Sequence, residues 1–206
     1  MKKIRVGIIG VGNCFAGLIQ GIEYYRKDKK KVPVGLMHLK VGPYDFKDIE
    51  FVSAFDVGAN KIGRTLDKAV FAYPNLVKWT KLPKINVIVG ESPVLDGVGI
   101  YVENRIKPLK NPTPIEKLEK EITEEVRKSK TEILVNYLPV GSQKATEFWA
   151  DVALKTGCAF VNCLPAFIAS KENWAAKFKR KGIPIIGDDI KGQIGATIVH
   201  RVLARL

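Results

Sequence analysis

The chain has 206 residues, 46% of them apolar and 27% charged, an ordinary globular composition that excludes a disordered tail, a collagen-like chain and a disulfide-stapled miniprotein. Its length allows one full domain, or one plus a fragment, burying about 70% of the unfolded surface. The net charge of +13 is shared evenly by the two halves, so its densest runs, Arg26 to Lys31 and Lys177 to Lys181, read as solvated surface ahead of a polyanion site.

Ile4–Gly10 is a short apolar run rich in β-branched residues and ending in glycine, which predicts a strand buried on both faces. The run Met1–Ile19 mimics a secretory leader, but Gly10-Val11-Gly12-Asn13 interrupts it and no small-x-small cleavage site precedes Arg26. A helix follows over Cys14–Tyr25. Arg26–Ile49 is too long for an ordinary loop and predicts an inserted excursion containing a hairpin. Glu50–Val57 reads as the second strand, with Asp56 at its carboxyl end. Lys61–Val70 is a short helix candidate and Asn86–Val89 another strand. Ile100–Ile106 is ambiguous between strand and helix.

Ile115–Lys130 is an amphipathic helix, with Ile115, Leu118, Ile122 and Val126 at helical spacing. Then strands and helices alternate: strand Glu132–Leu138, helix Gln143–Thr156 ending at Gly157, strand Ala159–Leu164, helix Trp174–Lys181 ending at Gly182, strand Ile183–Gly187 and helix Gln193–Leu206. This order predicts an α/β fold of the Rossmann-like, doubly wound kind, a mostly parallel sheet with helices on both faces. No repeat and no linker between two full domains is visible. No stretch of 18 apolar residues predicts a membrane span.

Four segments carry chemistry. Gly10, Val11, Gly12, Asn13 and Cys14 follow a strand and open a helix, the setting in which glycines let backbone N–H groups approach a pyrophosphate. The third glycine of the usual fingerprint is replaced by Phe15. Asp56 sits where a strand-end acid accepts hydrogen bonds from ribose hydroxyls and repels a 2′-phosphate, favouring NAD over NADP. Its separation from Gly12 is 44 residues against the usual figure of about 20, a difference the excursion absorbs. A solvent-facing aspartate is the competing reading.

Asn136-Tyr137-Leu138-Pro139 ends a strand, with Ser142 capping the next helix. Asn136 and Leu138 are candidates for ribose or nicotinamide contact, against a plain polar loop. Asp188, Asp189 and Lys191 precede the last helix. They suit a nicotinamide ribose, a phosphate or a helix cap, but two aspartates make a poor metal site because hard cations need more oxygens.

Cys14, Cys158 and Cys163 form no C-x-x-C pair and predict a reducing, cytoplasmic setting with buried thiols. His38 and His200 lack metal-ligand spacing. No RRM-like aromatic motif, zinc pattern or basic recognition helix supports nucleic-acid binding.

Together these segments resemble the myo-inositol-1-phosphate synthase (inositol-3-phosphate synthase) family in its short archaeal and bacterial form. The matching stretches are GVGNC at Gly10–Cys14, QGIEYY at Gln20–Tyr25, AFDV at Ala54–Val57, LDG at Leu95–Gly97 and NYLPVGS at Asn136–Ser142. AFVNCLPAFIAS at Ala159–Ser170 and IIGDDIKGQIGATIVHR at Ile185–Arg201 complete the series. Gly192 departs from the serine usual in the family.

The resemblance implies a cytoplasmic isomerase of inositol and phospholipid biosynthesis. It would use NAD, with a divalent metal left open, to cyclise glucose 6-phosphate by oxidation, enolisation, aldol closure and reduction. It also implies a homo-oligomer, a tetramer in the family, with no nucleic-acid or membrane partner. Gly10–Cys14, Asp56, Asn136, Leu138, Asp188 and Asp189 would hold the cofactor. The family's GGN-x-D segment and catalytic lysines lie downstream of the block ending at Arg201, so the second catalytic and tetramerisation domain is expected to be largely absent. The chain thus resembles the NAD-binding half, and the alternative is a non-catalytic half of a truncated or split synthase. Lys191 is the catalytic candidate, for phosphate or oxyanion contact.

Overall fold

The computed structural model describes residues 3–27, 38, 40–98, 103–188 and 203. Strand β1 (Ile4–Ile9) leads into helix α1 (Asn13–Lys27). A two-stranded antiparallel hairpin follows, β2 (Lys40–Val41) with β3 (Tyr44–Asp45), and the chain then returns through β4 (Ile49–Asp56). After α2 (Leu66–Ala69) come β5 (Val89–Glu91), α3 (Ile115–Lys128), β6 (Ile133–Asn136), α4 (Gln143–Thr156), β7 (Ala159–Asn162), α5 (Glu172–Lys181) and β8 (Ile185–Ile186). The six strands of the main sheet run in the order β5-β4-β1-β6-β7-β8, all parallel. The fold is therefore the expected α/β, Rossmann-like one. Its strand order reverses between β1 and β6, where open sheets of this kind leave a crevice outside the strand ends.

Alternating side chains of the central strand feed two cores. Val6 and Ile8 pack with Phe15, Ala16 and Ile19 of α1, with Leu66 and Ala69 of α2 and with Val89. Ile9 points the other way, with Phe55 and Leu134, into Leu118, Ile122 and Val126 of α3, Trp149 of α4 and Phe178 of α5. From Val6 to Ile9 the strand is buried on both faces and carries no polar side chain, while Arg5 at its half-buried start reaches Glu50 on β4. Trp149 is fully buried and lies 4.9 Å from the Phe55 ring. Of the expected α3 stripe, Leu118, Ile122 and Val126 are buried and Ile115, at the helix start, is exposed.

Several expected elements change extent. The helix candidate Lys61–Val70 shrinks to α2, because residues 61–63 form a turn, with Gly63 at φ +78°, and the chain then bonds across to the segment entering β5. Gly63 and Leu66 donate backbone N–H groups to the carbonyls of Val89 and Val87, Val89 donates to Arg64, and Thr65 bridges Ile88. That pairing also moves the strand expected at Asn86–Val89 to Val89–Glu91. Ile100–Ile106 lies partly outside the described residues, and its last part, over 103–105, is a turn. The helix expected at Gln193–Leu206 lies outside them apart from Leu203. The hairpin expected within Arg26–Ile49 is present. Of the three cysteines only Cys158 is buried, while Cys14 is exposed and Cys163 intermediate. Among the described residues no helix is long and apolar enough to cross a membrane.

Candidate functional site

Every predicted site residue that the structure describes stands at the carboxyl edge of the sheet. Gly10–Cys14 follows β1, Asp56 ends β4, Asn136 ends β6 and Asp188 follows β8. Asp189 and Lys191 lie outside the described residues.

Gly10 has φ +88°, and a Cβ there would come within 2.9 Å of the Tyr137 carbonyl oxygen, so the turn after β1 is wedged against the chain leaving β6. Gly12 is the opposite case: a Cβ there would meet nothing within 4 Å. Space therefore lies open beside the first turn of α1, where N–H groups carry the positive end of the helix dipole. Asn13 directs its side chain away from that space, its Oδ1 accepting from the backbone N–H groups of Leu76 and Val77 at 2.8 and 3.2 Å.

Asp56 is buried at 5% exposure, and its carboxylate already accepts from this chain. Oδ2 takes the Val11 N–H at 2.8 Å and the Lys61 ammonium at 3.4 Å, and Oδ1 takes the Gly58 N–H at 2.7 Å. The acid thus stands at the predicted strand end but is held by the glycine turn itself.

Asn136, also fully buried, donates Nδ2 to Thr146 Oγ1 and to Asn162 Oδ1, both at 3.1 Å, and accepts the Leu138 N–H on Oδ1. Asn162 is its register partner on β7 and donates onward to Asp188 Oδ1 at 2.7 Å. Asp188 further accepts from the backbone N–H groups of Ile168, Ala169 and Ser170 and from the Ser170 hydroxyl. Burial pushes its carboxyl upward, but the donors from Asn162, Ser170 and Ala169 outweigh this and hold it below the ordinary carboxylate value. A polar ladder therefore ties together the ends of β6, β7 and β8.

Tyr137 lies at the same edge. Burial drives its phenol far above the ordinary value, and the neighbouring thiols of Cys163 and Cys14 add to the rise. Among the described residues no group of three or more His, Cys, Asp or Glu side chains is placed to hold a metal.

The expected cap of α4 is corrected. Ser142 occupies the capping position but its side chain makes no capping hydrogen bond. Asp96 caps instead, accepting the N–H groups of Lys144 and Ala145 at 2.7 and 3.1 Å. A charged acceptor on two first-turn donors outcompetes a hydroxyl. Of the helices flanking the crevice, α4 thus has a carboxylate on its N-terminus, whereas the start of α1 faces open space. Replacing Asp96 by alanine is expected to lower stability by about 1–2 kcal/mol, read as a fall in the urea midpoint at unchanged slope.

Sequence reasoning missed Lys61, Asn75, Asp96 and Asn162. Only Asn162 carried a local signal, an asparagine ending a strand as Asn136 does.

A scan against models of protein families finds no match. Curated relatives do match. The chain is 47% identical over 206 residues to an inositol-3-phosphate synthase of Mycolicibacterium smegmatis, covering 99% of this chain and 55% of that one. It is 50% identical over 207 residues to the inositol-3-phosphate synthase of Corynebacterium glutamicum, covering 100% and 55%. Among solved structures, the crystal structure of Ari2 superposes with a TM-score of 0.81 at 31% identity, over 99% of this chain and 59% of that one. A myo-inositol-1-phosphate synthase-related protein from Thermotoga maritima shares the fold, with a TM-score of 0.74 at 24% identity, over 99% and 59%. The chain spans about half the length of the curated relatives it matches. Over nearly its whole length the chain is thus related to the inositol-3-phosphate synthases, matching about half of each.

Proposed function

We propose that this chain binds NAD in the crevice between the carboxyl ends of β1 and β6, as the NAD-binding part of an inositol-3-phosphate synthase acting on glucose 6-phosphate. The observation that carries the reading is the open start of α1 at Gly12, set at the strand-order reversal. Its similarity to inositol-3-phosphate synthases agrees with it. NAD supplies a hydride acceptor that is restored at the end of the cycle, so the net change is an isomerisation. The chain's own residues would bind and orient it: first-turn N–H groups of α1 would receive the pyrophosphate, Gly10 sets the turn's approach to Tyr137, and the backbone leaving β6 and β8, braced by Asn136, Asn162 and Asp188, would border the rest of the dinucleotide. Asp56, buried and paired with Lys61, presents no free charge to a 2′-phosphate, so the preference for NAD over NADP rests on the family resemblance.

The test is a calorimetric titration of the purified chain with NAD and NADP, repeated for Gly12→Val. We expect NAD to bind more tightly than NADP. A Cβ at Gly12 enters open space rather than protein, so Gly12→Val should keep the unfolding midpoint and lose at least tenfold in NAD affinity, about 1.4 kcal/mol. Unchanged NAD affinity in Gly12→Val, or equal affinity of the wild-type chain for the two dinucleotides, would count against this placement.

A second reading rests on the span of about half the relatives' length: a module that holds the cofactor and leaves chemistry to a separate polypeptide. The two readings part on inositol phosphate formation from glucose 6-phosphate. The first requires turnover when the rest of a synthase is joined to this chain in one polypeptide, the second turnover when the two are merely mixed; the chain alone is expected to give little or none in either case.

A further inference from the structure

The Val11 peptide is gripped from both sides by buried side chains. Its N–H donates to Asp56 Oδ2 at 2.8 Å. Its carbonyl accepts the Lys61 ammonium at 2.8 Å and the Asn75 amide at 2.9 Å. Lys61 is 2% exposed, Asn75 3% and Asp56 5%. Lys61 also reaches Asp56 Oδ2 and Asn75 Oδ1, both at 3.4 Å, and Asn75 donates to the Val70 carbonyl at 2.8 Å. Lysine is among the residue types least often buried, because desolvating an ammonium costs several kcal/mol unless acceptors surround it. Here they do, and one of them is the backbone carbonyl between the two glycines of the turn.

We propose that Lys61 and Asn75, with Asp56, form a buried clamp on the Val11 peptide that presets the glycine turn for a pyrophosphate and offsets the negative charge Asp56 would otherwise present to it. The inference rests on the NAD-binding reading above and adds positioning residues to it. The clamp turns the Val11 N–H inward, so the N–H groups of Gly12 and the first turn of α1 are the ones left to face the phosphates. Its charges cancel: a carboxylate beside the turn, alone, repels a pyrophosphate, and in a low-dielectric setting that repulsion is strong. The Lys61 ammonium removes it without touching the cofactor.

The experiment compares wild type, Lys61→Met, Asn75→Ala and the double variant Lys61→Met/Asp56→Asn. Each is titrated with NAD, ADP-ribose and adenosine, the last by ligand-observed NMR at millimolar concentration. Exchange of the Val11 amide is followed in parallel. Lys61→Met should weaken NAD and ADP-ribose at least tenfold while adenosine changes less than twofold, and Val11 exchange should accelerate. Asp56→Asn in that background should recover at least threefold, since it removes the unopposed charge. A purely structural loosening lowers all three ligands together and gains nothing from the second change, so either pattern overturns the clamp. If Lys61→Met does not fold, Asn75→Ala decides: NAD loss of threefold or more with adenosine held supports the proposal, and equal affinities overturn it. Failure of the wild-type chain to bind NAD would instead remove the reading on which the clamp rests.

Discussion

Gly10→Ala is expected to destabilise the chain by about 2–5 kcal/mol and to abolish NAD binding under conditions where the wild-type chain is saturated. Two costs combine. Gly10 sits at φ +88°, and a left-handed backbone costs an ordinary L-residue roughly 1–2 kcal/mol. The new methyl would also lie 2.9 Å from the Tyr137 oxygen and 3.0 Å from its carbonyl carbon, and forcing atoms into a packed site costs about 1–3 kcal/mol. Relief requires the turn to part from the chain leaving β6, which opens the junction where the dinucleotide is proposed to sit. Urea unfolding gives the first quantity and calorimetry on the folded fraction the second. A midpoint shift worth under about 0.5 kcal/mol, the usual effect of a neutral surface change, would show that the wedge yields easily.

Asp188→Ala is the second large effect, about 2–4 kcal/mol at pH 7, because several donors lose one shared acceptor and some remain partly buried. The pH dependence fixes the mechanism. The folded carboxyl is held below its unfolded value, so its stabilisation is complete above the unfolded pKa of about 4 and is lost as pH falls through the lower folded value. Wild type should therefore lose stability between pH 5 and pH 2 by more than Asp188→Asn, which has no charge to protonate. Parallel acid profiles for the two proteins would mean that the 168–170 loop is held by something other than this carboxylate.

The sheet and the glycine turn were legible because their signals are local. An apolar β-branched run followed by Gly10-Val11-Gly12 constrains the backbone over a few residues, and the alternation after Glu132 repeats a short period. Residue types at the strand ends were legible too, so Asp56, Asn136 and Asp188 all reach the crevice edge. Their partners were not. Asp56 turns toward Val11 because Lys61 and Asn75 stand behind the turn, and Asp96 rather than Ser142 caps α4 from 48 residues upstream. Such pairings depend on how distant segments meet. The extent of α2 failed for the same reason: Lys61 fits a helical pattern by spacing, yet the chain turns at 61–63 and is tied to residues 87–89 before the helix starts at Leu66.

The place of β1 in the sheet bears on how the chain is made. Of the six strands of the main sheet it is made first, yet one of its edges pairs with β4 and the other with β6, and the bond from Arg5 to Glu132 closes over 127 residues. At about 5–20 residues per second, synthesis reaches that partner roughly 6–25 s after β1 appears. During that interval the edge of β1 that pairs with β6 is open and Ile9 has no cover from α4. Nascent β1 is thus a natural binding segment for cellular chaperones, and slow codons placed before β6 would prolong its exposure more than slow codons placed after β7.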